Sequence, residues 1–422
     1  MTSLPAGALD LVIRGGRVLD PATGLDDSRD IGVSNGRIVA IDRDLGSSRA
    51  PFRPHFPPHP GTLDIDATGL LVVPGLVDLH THVYPGVVPL AVPADQAAMT
   101  AGVTTMVSAG DAGAHTIDGF RQLVVHQNRT RVVAFLHISV IGLAGWPTGE
   151  ALDCDYLDVE ATTRAILANR DIVVGIKVRQ TAPEVVGSNG LEPLRRALRV
   201  GDRTGLPVMV HIGAAPEPLA VILELLRPGD VITHCFTSSG NGIVEDAALI
   251  PAALRARDRG VIFDVGHGVG SFDYEFAEVA ARSGFWPDCI STDLHTLSAS
   301  SSMRDLPLTM SKFLNLGMEL GSVIRATTER PAQIINQSAA IGRLHIGGTA
   351  DIAVLELVSG DFEFVDAFGH TRRGGQLVRA RHTIRAGVPW DRFPRPGRPA
   401  TNLGAESQAQ LRPAPFGGNL SS

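Results

Sequence analysis

Leu76-Val77-Asp78-Leu79-His80-Thr81-His82, entered through Pro74-Gly75, is the stretch from which the rest of the chain is read. Side chains on an extended chain alternate faces, so His80 and His82 point one way and Thr81 the other. The run before them, Leu70 to Val73 and then Leu76 to Leu79, is apolar almost throughout, as in a strand buried on both faces. Two imidazoles side by side at the end of a buried strand can bite one divalent ion, with zinc the best match to the donor type. A His-X-His pair also arises by chance, and a lone buried histidine is commonly a satisfied core residue. Further ligands at comparable places downstream decide between these readings.

From Val77 to about Gln337 the pattern repeats as strand, loop, helix. Strand-like runs fall at Leu76–His80, Thr104–Ser108, Val132–Ser139, Val173–Val178, Pro207–His211, Val231–Cys235, Val261–Val265 and Cys289–Thr292. Helical stretches lie between them, such as Asp158–Asn169, Leu191–Thr204, Pro218–Leu226, Asp246–Arg259 and Tyr274–Ser283. Eight strands in alternation with helices predict an α/β fold of the closed parallel (β/α)8 TIM-type barrel kind. An open doubly wound sheet is the competitor, but no G-x-G-x-x-G opens a helix after the first strand.

The flanks read differently. Asp10–Asp20 and Asp30–Asp42 alternate apolar and polar residues, with Asn35-Gly36 placed as a hairpin turn, and Leu63–Asp66 continues in the same style. Ser47–Gly61 carries five prolines and is expected to be a surface loop, with His55 and His59 in it solvated. After Asn336 the alternation returns at Asp351–Leu357, Phe362–Val365 and Gln376–Ile384. Neither flank is large enough alone, so the two are expected to pool their strands in one small β-sandwich. The division expected is 1–73 for the N-terminal part of the sandwich (with the loop 47–61), 74–337 for the barrel, 338–392 for the C-terminal part of the sandwich and 393–422 for an extended or disordered tail.

The chain has 422 residues, 44% of them hydrophobic, enough for a large barrel with a smaller domain beside it. No apolar stretch approaches the roughly 20 residues of a membrane helix, and Met1 to Leu9 lacks the pattern of a secretory signal. Three scattered cysteines, Cys154, Cys235 and Cys289, do not make a disulfide framework, which points to a reducing cytoplasm. A net charge of −7 without a basic cluster argues against nucleic acid as a partner. A small-molecule substrate is expected, with neither nucleic acid nor membrane as partner; a homo-oligomer is left open.

Functional groups of such a barrel gather at the C-terminal ends of its strands. There the sequence places His80 and His82 (strand one), Lys177 (four), His211 (five), His234 (six) and Asp293 (eight). Four histidines, a lysine and an aspartate on one rim are far from a chance set. An ammonium beside two cations would be repelled, so Lys177 is expected to be neutral there, its pKa lowered by desolvation and nearby charge. The neutral amine can take up carbon dioxide as an anionic carbamate bridging two metals, or attack a substrate carbonyl to form a Schiff base.

These residues carry a resemblance. Pro74-Gly75-Leu76-Val77-Asp78-Leu79-His80-Thr81-His82, Gly175-Ile176-Lys177, Val210-His211, Thr233-His234, Ser291-Thr292-Asp293 and Gly347-Gly348-Thr349-Ala350-Asp351-Ile352-Ala353-Val354-Leu355 are similar to the motifs of the amidohydrolase superfamily, over about residues 10 to 390. Gly175-Ile176-Lys177-Val178-Arg179 and Asp264-Val265-Gly266-His267-Gly268 resemble its dihydroorotase-like amidohydrolase/deacetylase group. The resemblance implies a centre of two divalent ions, usually zinc. His80, His82 and Asp293 would hold one, His211 and His234 the other, and the carbamate of Lys177 would bridge them. A metal-bound hydroxide would attack the substrate, with Asp293 as general base.

Substrate contacts are read from position. Arg179 lies two residues past Lys177 on the same face and can grip a carboxylate bidentately or serve a surface salt bridge. His267, in the glycine-rich loop after strand seven, is expected to bond substrate or to support the site from behind. Tyr84 follows the metal histidines and is expected to wall the pocket, with Trp146 as a further aromatic face. His137 faces either core or substrate, and His295 lies on the side of Asp293. The expected activity is hydrolysis of an acyl ester or amide in a small carboxylated substrate, such as an acetylated α-hydroxy or α-amino acid. A cyclic amidase of the dihydroorotase kind is the alternative, although Val83-Tyr84-Pro85-Gly86 stands where such enzymes carry an arginine. A Schiff-base lyase would leave the rim histidines without a role, and a non-catalytic scaffold would have lost ligands.

Overall fold

The computed structural model describes residues 9–45, 62–215, 217–298 and 305–390. The proline-rich 47–61 segment, with His55 and His59, and the 393–422 tail lie outside the described residues.

The apolar run before His80 is divided between two sheets. Leu71–Pro74 joins the sheet of the flanking strands, and Leu76–Thr81 begins a second, parallel one. The single strand expected through Leu70–Leu79 is thus corrected to two. The chain changes sheet at Gly75, where an added Cβ would stand 2.9 Å from Thr104 Cβ.

The second sheet holds seven parallel strands in sequence order: Leu76–Thr81, Val103–Ala109, Arg131–His137, Val173–Arg179, Val208–His211, Val231–Thr233 and Ile262–Asp264. Nearly every residue in them is buried, which explains their unbroken apolar character: one face meets helices and the other meets the interior. Phe135, Met209, Val107 and Val174 form part of that interior cluster. The expected eighth strand at Cys289–Thr292 is present only as extended chain with isolated bridges, Asp264 to Cys289 on one side and Thr81 to Leu294 on the other. Its backbone accepts from Val265 N and His267 N and donates from Asp293 N to His80 O. The parallel sheet therefore curls until both of its edges reach the same segment.

Helices Val159–Ala168, Glu192–Thr204, Leu219–Leu225, Pro251–Asp258 and Tyr274–Arg282 cover the outside. Asp158 and Asp273 cap the first and last of these by accepting from Ala161 N and Glu275 N. The helix expected from Asp246 starts only at Pro251, because Val244–Glu245 and Ala248–Leu249 pair as a short hairpin through Asp246 and Ala247, both at positive φ.

Strands from both ends of the chain share one eight-stranded sheet, in which Leu71–Pro74 pairs with Leu11–Asp20 on one side and Ile352–Val365 on the other. Asn35-Gly36 makes the expected turn. Ile13, Val33, Ile38, Val72, Ile352 and Ile384 pack together as its core. Ile352–Val365 runs unbroken through Gly360-Asp361 with a register shift, where two strands had been expected. No helix among the described residues is long and apolar enough to cross a membrane.

Candidate metal centre

His80 and His82 leave the first strand of the parallel sheet together. Their ring nitrogens lie with Asp293 in one group: Asp293 Oδ1 is 3.4 Å from His80 Nε2 and 3.1 Å from His82 Nε2. Lys177 Nζ stands 3.2 Å from the same His80 Nε2. His211 Nδ1 and His234 Nε2 face each other at 3.1 Å. All six rim residues read from the sequence thus come together.

These separations suit shared divalent ions. Ligand atoms bound tetrahedrally at about 2.0–2.1 Å sit roughly 3.3 Å apart. Two imidazole lone pairs facing each other at 3.1 Å, as in His211 and His234, repel unless a cation or a proton lies between them. The donor set of imidazoles and a carboxylate is the one zinc and similar ions prefer.

Three of the four imidazoles, those of His80, His82 and His234, are also oriented from behind, as metal-binding histidines are. Thr233 Oγ1 donates to Asp264 Oδ2 at 2.7 Å, so it accepts from His80 Nδ1–H at 2.8 Å and leaves Nε2 with its lone pair. Ser291 Oγ binds the same Asp264 oxygen at 2.8 Å. His82 Nδ1 donates to Asp111 Oδ1 at 2.6 Å, and Asp111 Oδ2 accepts from Val83 N and Ser108 Oγ. His234 Nδ1 donates to Gly266 O at 2.6 Å. A Cβ on Gly266 would stand 2.9 Å from His234 Nδ1 and 3.1 Å from His80 Nδ1, which is why a glycine follows Val265. His234 and Asp293 themselves adopt left-handed backbone (φ 69° and 52°), a conformation that costs non-glycine residues about 1–2 kcal/mol.

Burial shapes the charges. It pushes the Lys177 amine down to about 8 and His234 down to about 4, and it holds His80 and His211 well below the usual histidine value. Burial would depress His82 too, but carboxylates on both sides, Asp111 and Asp293, raise it to about 9. Asp293 is buried, yet the imidazoles of His82, His295 and His234 keep its carboxyl well below the carboxylate range. No carboxylate lies within ion-pair distance of Lys177 among the described residues; its neighbours are His80 Nε2 and Met209 Sδ, the latter at 3.5 Å.

A cavity of about 200 Å³ opens over this group. Arg179 lines it, held by a bidentate pair with buried Glu150 (Nε to Oε1 2.8 Å, Nη2 to Oε2 2.9 Å). Trp146, His137 and His295 line it as well. His267 and Tyr84 do not. The His267 ring stacks on Phe272 and takes a hydrogen bond from Lys312 Nζ at 2.6 Å, and Tyr84 packs on Phe120 with its hydroxyl directed to Thr116 O.

Sequence reasoning missed Asp111 and Glu150, and it quoted Thr233 and Asp264 within motifs without giving either a role. Asp111 and Asp264 sit at or just beyond strand ends, where the same rule that found the histidines applies. Glu150, in a loop, carries no such signal.

No protein-family model matches the chain. A deacetylase of Brucella anthropi is 37% identical over 322 residues, 76% of this chain and 80% of that protein. A crystal structure of a dihydroorotase superimposes with a TM-score of 0.83 at 32% identity, over 91% of this chain and 98% of that one. A crystal structure of an adenine deaminase gives 0.82 at 30% identity, over 90% and 99%. The chain therefore belongs to the amidohydrolase superfamily of hydrolytic enzymes, in its group of dihydroorotase-like amidohydrolases and deacetylases. The same fold carries differently named relatives, so the substrate has to be read from the cavity.

Proposed function

We propose that this chain is a binuclear metal-dependent hydrolase on a (β/α)8 barrel, cleaving an acyl ester or amide in a small carboxylated substrate, such as an acetylated α-hydroxy or α-amino acid. The observation that carries the reading is the meeting of His80, His82, Lys177, His211, His234 and Asp293 at bite distances, with His80, His82 and His234 oriented by fixed acceptors. His80, His82 and Asp293 would hold one ion, His211 and His234 the other. When bound, divalent ions supply Lewis acidity toward a carbonyl and make water acidic enough to ionise near neutral pH.

The chain's own residues do the rest. Asp293 is the one carboxylate lining the cavity among the described residues, so it is the group placed to take a proton from water and return it to the leaving group. Lys177 is buried with no carboxylate in ion-pair contact among the described residues, a costly state for an ammonium, and burial outweighs the more distant Asp293 and Asp264 in lowering its pKa. Its neutral amine can add to carbon dioxide with loss of a proton, and the resulting carbamate gives the site an anion that can bridge both metal positions. Leu90, Leu143, Trp146, Val269 and Leu297 form an apolar wall that excludes water and takes a hydrocarbon side chain.

A cyclic amide is the second reading, favoured by the likeness to the structure titled dihydroorotase. The residue after Val83 is Tyr84, turned to Thr116 O, so no guanidinium enters the cavity from that position. A hydrolysis screen of N-acyl and O-acyl acids with zinc-reconstituted enzyme tests the proposal, with His211→Asn as control. Turnover of an acetylated acid, lost in the variant, is expected; equal rates for both proteins would refute the centre.

A further inference from the structure

His137 lies beside Lys177 in the next strand, at the same register, and is 1% exposed. Its Nδ1 accepts from Ser139 N at 2.9 Å. A backbone N–H only donates, so Nδ1 keeps its lone pair and the ring proton sits on Nε2. That Nε2–H has no hydrogen-bond partner among the described residues. Glu150 Oε1 is 3.6 Å from it, beyond a hydrogen bond. A buried donor left unmade costs stability, and such a group in the wall of a cavity points to a ligand that completes it.

Arg179 stands in the same wall. Glu150 takes its Nε and Nη2 donors, and its Nη1 donors have no partner among the described residues. Glu150 and Arg179 cancel in formal charge, while the planar pair fixes the direction in which Nη1 points. Both residues line the cavity, so what the pair has left to offer a ligand is a set of donors: Nη1 of Arg179 and Nε2–H of His137. A carboxylate, which accepts at both oxygens and donates nothing, satisfies such a set. A carboxamide brings its own N–H groups and leaves donor facing donor.

We propose that His137 Nε2–H and Arg179 Nη1 form a donor-only seat that selects substrates ending in a carboxylate. The seat makes His137 a specificity-determining residue and Glu150 the positioning residue that aims Arg179. This rests on the reading of the cavity as the site for an acylated acid, and it names the group that the cavity recognises.

The test separates the seat from the chemistry. Binding of 4-methylpentanoate and of 4-methylpentanamide, neither of which has an acetyl group to lose, is measured by calorimetry on full-length, zinc-loaded protein. Hydrolysis of N-acetyl-leucine and N-acetyl-leucinamide is measured in parallel. In wild type the carboxylate is bound better than the carboxamide. In His137→Phe, which keeps the ring volume and loses the donor, that preference falls about tenfold or more, and His137→Gln, which keeps a donor, restores part of it. His137→Leu serves if the Phe variant does not fold, and zinc content by mass spectrometry confirms that the metal positions survive. A carboxylate preference unchanged in the variants overturns the seat, whether or not the acetylated compounds are hydrolysed. A His137-dependent preference without any hydrolysis supports the seat and overturns the proposed activity instead.

Discussion

Asp111→Asn is the perturbation that most sharply separates an organised metal centre from a cluster of histidines. Asp111 is buried and is not among the residues assigned to a metal; its carboxylate accepts from His82 Nδ1 at 2.6 Å, Val83 N at 2.6 Å and Ser108 Oγ at 2.9 Å. Asparagine keeps one acceptor oxygen and puts an amide N–H₂ where the other oxygen accepted. Either His82 Nδ1–H or Val83 N–H then faces a donor, and the charge that favoured the Nδ1–H tautomer is gone. One charge-assisted hydrogen bond is worth about 1.5–3 kcal/mol, and losing an orienting partner of this kind costs metal affinity about 10–100-fold, or roughly 1.4–2.7 kcal/mol. Competition against a zinc-responsive dye gives that affinity directly, and a thermal melt of the metal-free protein reports the folding cost separately. Weaker binding of zinc with little change in the metal-free melt is the expected result. A variant that binds zinc as tightly as wild type would refute the argument that His82 is held for a metal.

Three further outcomes are expected. Gly266→Ala places a methyl carbon within 2.9 Å of His234 Nδ1 and 3.1 Å of His80 Nδ1 at a φ of +46°, so zinc content should fall and stability drop by about 1–3 kcal/mol; full zinc loading would contradict the role given to this glycine. Burial raises the proton affinity of Glu150, but the His137 ring N–H, 3.6 Å away and short of a hydrogen bond yet close enough to attract a carboxylate, and the paired Arg179 guanidinium hold its carboxyl down to about 2 from 4.5, so the stability it contributes, about 3 kcal/mol, is present above about pH 4.5 and lost as pH falls toward 2. Denaturation of wild type and Glu150→Gln should therefore differ at neutral pH and converge in acid; a constant difference would show that the charge of Glu150 is not involved. Arg179→Met should raise KM for carboxylated substrates about tenfold or more and leave Glu150 as an unpaired buried charge costing about 3–5 kcal/mol, a cost the Arg179→Met/Glu150→Gln double variant removes; an unaltered KM would take away the binding role of Arg179.

The rim cluster was legible because one rule, polar residues at the ends of buried parallel strands, picks out His80, His82, Lys177, His211, His234 and Asp293 from local pattern alone. The groups behind them were not, because each contact joins residues far apart in the chain. Thr233 meets His80 across 153 positions, and Asp264 meets Thr233 across 31, only once the sheet curls. Arg179 shows the same limit. Its place on the cavity side followed from strand alternation, whereas its partner Glu150, on a loop 29 residues earlier, follows no period. Gly75 illustrates a different failure: an apolar run that looks continuous in sequence belongs to two sheets, because a strand's burial pattern does not say which neighbours bury it. His267 was placed on the right loop, but the direction of its ring depends on Lys312, which comes from a helix 45 residues later.

The account stands on two divalent ions shared among six side chains. Anomalous diffraction at the zinc edge from crystals grown with zinc tests it most directly. The predicted result is a pair of peaks, one within about 2.0–2.2 Å of His80, His82 and Asp293 and the other at the same reach from His211 and His234, joined by density for a carbamate on Lys177. A single peak or none, with Lys177 an unmodified amine, would contradict it.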